Sequence, residues 1–472
     1  MPKQPRNKNN DKAYFPDIEV PKGMFWGQQT QRSLLFFNIG NQRFDLNFIE
    51  VIVNIKRACA EVNYRSSLLS KKQRNAIIMA CEDILMSDYS AHFPLSIWQT
   101  GSGTQTNMNV NEVLCTLANN HLIDNPTSNK QTDGRAIHPN DHVNLSQSSN
   151  DVFPTAMHII VAQKTQDVLL PAISLLEQEI ALKQDEFKKF HTVGRTHLMD
   201  ALPINASCCF SAYRSQLAFA KLTIEESMNR VYQLALGGTA VGSGANAPKK
   251  FGQQVIELLA ERYQLPFIQS ANLYAAVSGE DALVRYSSAI KQLAVILQKI
   301  ANDFRLLGSG PRCGLNEWLL PANEPGSSIM PGKVNPTQCE ALSMVCLQVF
   351  GNDLTVSLSG SNGQLQLNTY RPVIIHNLLE SIGLLSDSMV SFSKYCVRDL
   401  QINRNQINQN MLSNLSVITL LVPLIGYDKA AHIVQTAVEQ CLSLPQSAES
   451  LGYFDQKNFE QLLHEQLNKD VL

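Results

Sequence analysis

The sequence predicts a mainly α-helical fold of three domains, with a central bundle of about five long helices. The clearest indication is a stripe of apolar residues, spaced three and four apart, that runs through residues 283–307 for about seven turns. Four further runs of helical texture cover residues 158–190, 208–236, 336–358 and 370–397. A stripe of this length must pack against partner helices, and these runs can supply them. The composition agrees, because 44% of the 472 residues are hydrophobic and 17% are charged.

We expect the three domains at residues 1–145, 146–398 and 399–472. Apolar spacings of three and four over residues 45–63 indicate that the N-terminal domain is mostly helical. The central domain contains the long runs. A polar segment rich in Asn and Gln then begins at about residue 399, and the short helical runs beyond it indicate a small C-terminal helical domain.

The charge and the cysteines argue against several kinds of partner. A net charge of −2 argues against nucleic acid, whose binding needs a basic surface. The ten cysteines form no C-x-x-C pair, so we expect no zinc or iron–sulfur site. Scattered thiols in a chain of this length are typical of reduced, cytoplasmic proteins.

We expect no membrane contact, because no segment reads as long and apolar enough to span a bilayer. The best candidate, residues 417–425, is interrupted by Thr419 and Pro423 and falls short of about 18 residues. Residues 1–12 are polar and basic without an apolar stretch, so they read as a disordered tail and not as a secretory signal.

Residues 326–336 form the most distinctive motif, Gly-Ser-Ser-Ile-Met-Pro-Gly-Lys-Val-Asn-Pro. Two glycines and two prolines exclude a regular helix or a central strand, so the segment must be a loop. It carries two hydroxyls, the ammonium of Lys333 and the carboxamide of Asn335, which are groups that can grip and polarise a small anion. On composition alone, a plain connection between helices remains an alternative.

Two other segments combine small hydroxyls with a predicted helix start. Residues 99–113 open with a glycine-rich turn, which presents free N–H groups to an anion where it leads into a helix. Ser102 or Thr104 could equally be a plain helix cap. Residues 146–151 precede a helix that we expect to begin after Pro154, and a plain N-cap is again the alternative.

Two histidine-containing segments remain ambiguous on the residues alone. His197 lies between the first two long runs, near a predicted helix start, where a lone histidine is more often structural. His138, Asn140 and Asp141 lie close together in sequence, but Pro139 breaks the helical spacing and no His-x-x-x-His pair is present. We therefore expect no metal site.

The same motifs occur in the same order in the fumarase/aspartase superfamily of lyases, which expel a leaving group β to a carboxylate. The chain resembles this family from about residue 15 to about residue 459, and residues 326–336 resemble its signature loop. Gly332 and the following Thr-Gln-Cys-Glu at residues 337–340 resemble the class II fumarase branch. Aspartases tend to have Ala in place of that glycine and a Val-rich run after the loop.

The resemblance implies the reversible hydration of fumarate to L-malate, by anti addition or elimination of water through an aci-carboxylate intermediate, with no cofactor. It implies that Ser327 is the base and acts as an alkoxide, which requires that loop N–H groups and Lys333 lower its pKa. Ser328 is the second candidate for the base. His197, paired with Glu340, would protonate the departing hydroxyl.

The resemblance also assigns binding residues. Lys333 and Asn335 would stabilise the aci-carboxylate. The residues implied in binding the dicarboxylate are Ser102, Thr104, Ser148, Ser149, Asn150, Thr196, Thr239, Lys333 and Asn335. A second anion site near the entrance would be formed by Arg135, His138, Asn140 and Asp141.

In this family the active sites are shared within a homotetramer whose core is built from the long helices. We therefore expect residues 148–150, His197 and residues 327–335 of one site to come from different subunits. The chain departs from the family at Leu202, where fumarases usually have Thr, and at Cys208-Cys209, where they have Gln-Glu. These departures bear on local packing and subunit contacts.

Two alternatives stay open at this point. One is another lyase of the superfamily, such as an ammonia lyase acting on aspartate. Gly332 and residues 337–340 favour water as the leaving group instead. The other is a non-enzymatic protein built on the same scaffold, which the intact set of polar site residues argues against.

Overall fold

The computed structural model describes residues 16–123 and 136–469, and this part of the chain is mainly α-helical, as predicted. The predicted tail at residues 1–12 lies outside these ranges. The α-helices in chain order are α1 Gln28–Phe36, α2 Leu46–Arg65, α3 Lys71–Met86, α4 Thr104–Ile123, α5 Ser149–Lys164, α6 Leu170–Phe187, α7 Ser207–Val231, α8 Phe251–Tyr263, α9 Leu273–Ser278, α10 Asp281–Leu307, α11 Thr337–Ser361, α12 Arg371–Phe392, α13 Arg404–Ser413, α14 Val422–Ile425, α15 Tyr427–Gln440, α16 Leu444–Ser450 and α17 Gln456–Lys469. Short 3-10 and π-helical turns occupy Ser90–His92, Leu415–Leu421, Pro139–Val143, Thr165–Leu169 and Ser393–Val397.

The strands are short and occur in pairs. The antiparallel pairs are β1 His191–Thr196 with β2 Met199–Asn205, and β5 Trp318–Leu319 with β6 Gln401–Ile402; the parallel pair is β3 Gln233–Leu234 with β4 Ile268–Gln269. The hairpin of β1 and β2 is the longest of these pairs, and it carries part of the candidate site.

All five predicted long runs form helices, so the bundle prediction is confirmed. The first run is one continuous segment, Ser149–Phe187, in which the π-helical turn Thr165–Leu169 joins α5 to α6. The others are α7, α10, α11 and α12. The apolar stripe of α10 is buried along its length, from Leu283 to Phe304.

The described chain divides into two compact units. The first comprises Met1–Leu169, Leu222–Lys291 and Gln348–Gly383, and the second comprises Leu170–Lys221, Gln292–Leu347 and Leu384–Leu472. The three-domain division at residues 145 and 398 stays a prediction.

In the first unit, α2 packs against α3, α5 and α8. The Phe48 ring on α2 lies 5.0 Å from the Phe44 ring and 5.2 Å from the Phe153 ring of α5. The Asp45 side chain accepts the N–H of Asn47 at 3.1 Å and caps the start of α2. This packing fixes the N-terminal part of α5, where residues 148–150 lie.

The core of the second unit is aromatic. The Trp318 ring lies 4.9 Å from the Phe304 ring and 5.2 Å from the Phe210 ring, and Phe304 lies 5.1 Å from Phe392. These rings join α7, α10 and α12 to the chain that leads into the loop at residues 326–336. The C-terminal helices bury a separate cluster: Val417, Ile418, Leu421, Ala430, Ile433, Ala437, Leu444, Ala448 and Phe459.

Three helical segments are long and apolar enough to span a membrane by length and composition, so the expectation that none would be was wrong. They are Ser149–Phe187, Thr337–Ser361 and Arg371–Val397, all of them long helices of the bundle. Bundle helices are apolar on several sides because neighbouring helices surround them. Of the 18-residue apolar stretch in each segment, 56%, 33% and 50% is buried, in the order given. Most of the stretch in Thr337–Ser361 is therefore not buried within a single chain.

The start of α1 is capped by a carboxylate from α4. The Glu112 side chain accepts the N–H groups of Gly27 at 2.9 Å, Gln29 at 2.9 Å and Thr30 at 3.1 Å, and the Thr30 hydroxyl at 2.6 Å. The N-cap residue Gly27 has no side chain to do this. The buried Glu112 therefore fastens the N-terminal segment to the helix that follows Ser102 and Thr104.

Candidate functional site

The loop at residues 326–336 is closed by its own backbone. The Gly326 N–H donates to the Lys333 carbonyl at 2.9 Å, and the Lys333 N–H donates to the Met330 carbonyl at 3.2 Å. A Cβ at position 326 would lie 2.4 Å from the Lys333 carbonyl oxygen, so Gly326 allows the close approach. Gly332 has a φ of +79°, in the left-handed region. The two glycines therefore shape the loop for different reasons.

Ser327 carries the hydroxyl of this loop that accepts backbone hydrogen bonds. Its Oγ accepts hydrogen bonds from the N–H groups of Ile329 at 3.2 Å and Met330 at 3.1 Å. Donors directed at an oxygen stabilise its anionic form more than its neutral form. Ser328 accepts no such bond within the described residues. The geometry therefore favours Ser327 over Ser328 as a base.

The remaining polar groups of this region stay available to a ligand. The Asn335 Nδ2 donates to the Gly326 carbonyl at 2.8 Å, which orients the amide and leaves one of its hydrogens free. Lys333 is exposed and forms no ion pair in the part of the chain described. Glu340 is exposed in the first turn of α11, where a carboxylate interacts favourably with the helix dipole.

His197 occupies the tip of the β1–β2 hairpin and not a helix start, so that expectation was wrong. Thr196 pairs with Met199 across the turn, and the two residues between them, His197 and Leu198, have φ values of 56° and 62°. Two consecutive positive φ values are typical of the type I′ turn, whose twist matches that of the flanking strands. The turn leaves Thr196 and His197 exposed.

A buried ion pair fixes this hairpin to the second unit. The Arg195 guanidinium donates to both carboxylate oxygens of Glu317, at 2.5 Å and 3.1 Å. Thr192 and Asn410 donate to the same carboxylate at 3.2 Å and 2.7 Å. The Glu317 side chain is 1% exposed. Nothing in the sequence indicated Glu317, because 122 residues separate it from Arg195.

Ser102 and Thr104 lie on the predicted glycine turn at the start of α4. The two hydroxyl oxygens are hydrogen-bonded to each other at 2.8 Å, and Gly103 between them has a φ of +74°. The Gln99 side chain accepts the N–H of Thr106 at 3.0 Å, so this amide at the helix start is already occupied. The glycine turn leads into a helix as predicted, and the role of Ser102 and Thr104 in binding stays a prediction.

Ser148 caps α5, which begins at Ser149 and not after Pro154 as expected. The Ser148 Oγ accepts the N–H of Asn150 at 3.2 Å, and the Asp151 side chain accepts the N–H of Ser148 at 2.9 Å. This reciprocal arrangement is a capping box. The N-cap interpretation is therefore confirmed. The helix begins at Ser149, five residues before Pro154, whereas it was expected to begin after that proline.

Asp151 joins this cap to the segment that contains Thr239. Its second oxygen accepts the N–H groups of Gly237 at 3.0 Å and Thr239 at 2.8 Å, while the Asn150 amide donates to the Ala240 carbonyl at 2.8 Å. Burial raises the pKa of Asp151, and the backbone donors oppose that shift. The Thr239 Oγ1 is buried and has no partner within the described chain, which leaves it for a ligand.

A buried polar network supports the cap from α2 and α4. The Asn144 Oδ1 accepts from Lys56 at 2.8 Å and from Asn107 and Asn111, each at 3.2 Å. Asn107 also donates to the Ser149 hydroxyl at 3.1 Å. Burial lowers the pKa of Lys56 to about 8. Lys56 was not among the predicted site residues, although a lysine within an apolar helical run indicates a buried charge.

The predicted second anion site is only partly described, because Arg135 lies outside the described residues. His138 caps the π-helical turn Pro139–Val143, and its Nδ1 accepts the N–H of Asp141 at 3.1 Å. His138, Asn140 and Asp141 are all exposed. Across residues 16–123 and 136–469, no group of three His, Cys, Asp or Glu side chains is placed to hold a metal ion.

The predicted site residues divide between the two units. The first unit holds Ser102, Thr104, Ser148, Ser149, Asn150 and Thr239, and the second holds Thr196, His197, Ser327, Lys333, Asn335 and Glu340. Asp151 and Asn150 join the Ser148 cap to the segment that contains Thr239. Within one chain, as far as it is described, His197 and Glu340 form no hydrogen bond with each other.

Comparison with known proteins identifies the family of the chain. A family model described as lyase matches residues 17–351, and a model described as the fumarase C C-terminus matches residues 417–466. Fumarate hydratase class II of Pseudomonas syringae pv. tomato is 49% identical over 443 residues, which are 94% of each chain. Fumarate hydratase class II 1 of Pseudomonas aeruginosa is 50% identical over 94% of this chain and 95% of its own.

A solved structure is similar over the same extent. The crystal structure of recombinant class II fumarase from Schistosoma mansoni superimposes with a TM-score of 0.88 at 43% identity, covering 94% of this chain and 96% of that one. Sequence and fold thus agree over almost the whole chain, and the chain belongs to the class II fumarase family of lyases.

Proposed function

We propose that this protein catalyses the reversible hydration of fumarate to L-malate. The observation that carries the proposal is the Ser327 hydroxyl, which accepts two backbone N–H groups in a loop that also presents Lys333 and Asn335. A base, a cation and an amide donor on one loop suit the removal of a proton beside a carboxylate. The relatives that bear the name fumarate hydratase class II support the same reaction.

In the malate-to-fumarate direction, the Ser327 alkoxide takes the proton from the carbon beside one carboxylate. The electron pair left behind moves into that carboxylate and gives a dianionic aci-carboxylate. This carbon acid is very weak, so the charge must be stabilised where it develops. The Lys333 ammonium supplies a positive charge, and the free amide hydrogen of Asn335 supplies a hydrogen bond.

The elimination is completed when the hydroxyl leaves the next carbon as water. His197 supplies the proton, directly or through a water molecule, and Glu340 keeps the imidazole basic by accepting a hydrogen bond from its other nitrogen. Since the two side chains form no such bond within one described chain, the pair has to form between subunits. Thr196, next to His197 on the exposed hairpin, would bind the adjacent carboxylate.

The other carboxylate of the substrate binds to the hydroxyl and amide groups of the first unit. Ser102, Thr104, Ser148 and Asn150 offer neutral donors, which can hold an anion reversibly without a buried counter-charge. The unpartnered hydroxyl of Thr239 fits the same role. Holding both ends of the substrate fixes its reacting carbon near the base and lowers the entropic part of the barrier.

The proposed assembly is a homotetramer with shared sites, and α11 offers the surface for it. Met344, Leu347, Leu354 and Leu358 are 64%, 61%, 60% and 56% exposed in a single chain. With Gly351 they recur at intervals of three and four, which places them on one face of the helix. A long apolar stripe of this kind suits packing against the same helix of another copy.

The oligomer is tested by one charged residue on this stripe. We expect Leu354→Glu to dissociate the assembly and to abolish fumarate hydration, with analytical ultracentrifugation as the measurement. Glu439→Gln, at an exposed position of α15, is the control. A fully active monomer would refute the shared-site proposal while leaving the chemistry intact.

We also propose a cytoplasmic location, consistent with the scattered free thiols.

The reaction is tested by the loss of fumarate ultraviolet absorbance on mixing with the purified protein, with and without ammonia. We expect the fumarate absorbance to fall without ammonia. It should not fall with the Ser327→Ala variant, and it should fall at nearly the wild-type rate with Ser328→Ala. Loss only with ammonia would assign an ammonia lyase instead. Equal loss of activity in both serine variants would contradict Ser327 as the specific base.

A further inference from the structure

Arg371, the first residue of α12, is completely buried, and its guanidinium donates three hydrogen bonds within the first unit. Its Nε donates to Glu280 at 2.6 Å, one terminal nitrogen donates to the Asn150 carbonyl at 2.8 Å, and the other donates to the Val277 carbonyl at 2.6 Å. The side chain is 0% exposed. A buried arginine with this many directed bonds fixes the groups that it contacts.

The backbone of Arg371 holds the other hydroxyl-bearing segment. Its N–H donates to the Gly101 carbonyl at 3.0 Å. A Cβ on Gly101 would lie only 1.3 Å from the Thr369 carbonyl oxygen, so the two stretches of backbone are in direct contact. One residue therefore contacts both the turn before α4, which bears Ser102, and the start of α5.

The bond to Asn150 replaces one that the helix cannot make. In α5 the carbonyl of residue 150 would normally accept the N–H of residue 154, four positions on. Residue 154 is a proline inside the helix, and proline has no N–H. The Arg371 guanidinium supplies the missing donor, which explains how Pro154 is tolerated within the first two turns.

We propose that Arg371 is a positioning residue for the fumarate hydratase reaction, which holds the Ser102 turn and the Ser148–Asn150 cap at the separation needed to bind one substrate carboxylate. This inference rests on the proposed function. Glu280 orients the guanidinium from its other side. Burial raises the pKa of Glu280, and the charge and the hydrogen bond of Arg371 oppose that shift.

The first test is Arg371→Lys, measured by kcat and KM for fumarate. The lysine ammonium keeps a charge beside Glu280 but cannot reproduce the three hydrogen bonds of the planar guanidinium to Glu280, Asn150 and Val277. We expect KM to rise at least tenfold with kcat within about threefold, because binding is lost equally from the ground state and the transition state. A merely structural role would reduce the amount of active enzyme, lowering kcat at unchanged KM. That result would overturn the proposal.

The matched control is Arg398→Lys. This arginine also donates through two nitrogens to a glutamate, Glu179, but its side chain is 51% exposed. We expect its KM for fumarate to be unchanged. An equal rise of KM in both variants would show a general effect of losing an arginine and would contradict the proposal.

The second test is the double variant Pro154→Ala/Arg371→Lys. The new N–H of Ala at position 154 can donate to the Asn150 carbonyl and so replace the lost guanidinium bond. We expect KM to return to within about threefold of wild type. The double variant also carries the test if Arg371→Lys does not fold. A KM that stays tenfold high in it would refute the role assigned to the Asn150 contact.

Calorimetric titration with succinate, a saturated dicarboxylate, separates this inference from the proposed reaction. We expect the dissociation constant of succinate to follow KM through the same variants. If the wild type binds succinate but does not hydrate fumarate, the reaction is wrong and the positioning role is still tested by the variants. If the wild type neither hydrates fumarate nor binds succinate, both proposals fail.

Discussion

Replacing Glu317 by Gln should destabilise the fold and detach the hairpin that carries His197. The carboxylate accepts four hydrogen bonds, two from Arg195 and one each from Thr192 and Asn410. A glutamine keeps one acceptor oxygen and turns an amide towards the remaining donors. About two of the four bonds are lost, each worth about 1.5–3 kcal/mol because one partner is charged.

The expected loss in the free energy of unfolding is about 3–6 kcal/mol, close to the usual effect of removing one partner of a buried ion pair, which is about 3–5 kcal/mol. The measurement is urea unfolding followed by circular dichroism, beside kcat for fumarate. We expect kcat to fall at least tenfold, because a displacement of about 1 Å at a catalytic group can cost a factor of about 100. Asp185→Asn is the control, because its pair with Lys188 is 69% and 60% exposed and contributes about 1 kcal/mol or less.

A double variant separates stability from positioning. Arg195→Met/Glu317→Leu removes both charges and fills the space with apolar side chains, which often restores stability. We expect the free energy of unfolding to recover while kcat stays low, because the two hydrogen bonds from Arg195 to Glu317 that hold the hairpin are gone. If Glu317→Gln keeps both the stability and the kcat of wild type, the ion pair does not hold His197 in place.

Three further outcomes follow from buried groups. Lys56 has a pKa of about 8 in the folded chain and about 10.4 when unfolded, so the unfolded chain binds more protons between these values and stability rises with pH there. Lys56→Met should flatten this rise in urea unfolding between pH 8 and about pH 10, and identical slopes would contradict it. Glu112→Ala leaves four donors of the α1 start without an acceptor and should cost about 3 kcal/mol, seen as faster hydrogen exchange in α1; protection equal to wild type would refute the cap. Asp151→Asn keeps one acceptor oxygen for three N–H donors and should cost about 2–4 kcal/mol, whereas unchanged stability would show that those bonds contribute nothing net.

Periodicity was sufficient to predict the long helices, because each is a local pattern of apolar residues that the bundle then buries. The glycine turn before α4 and the loop at residues 326–336 were likewise predictable, since glycine and proline act on the backbone at their own positions. The boundary at Pro154 was missed because the donor that compensates for the proline comes from Arg371, which is 221 residues from its acceptor Asn150. No local rule contains that contact.

The position of His197 was missed for a related reason. Its hairpin turn uses His and Leu where a type I′ turn usually has Asn and Gly, so the local sequence gave no turn signal. The Arg195–Glu317 pair, which anchors the hairpin, joins residues far apart in the chain. Tertiary contacts therefore determine this part of the site, and the sequence indicated only which residues to look for.

The two donors to Ser327 belong to the main chain, and this has a consequence for how the loop can vary over evolution. The side chains of Ile329 and Met330 are 83% and 48% exposed, and the Ser327 hydroxyl is hydrogen-bonded only to their N–H groups. Their side chains can therefore change without removing either hydrogen bond to the serine. Proline is different, because it has no N–H and would remove the hydrogen bond at either position, so we expect these two positions to accept many side chains but not proline.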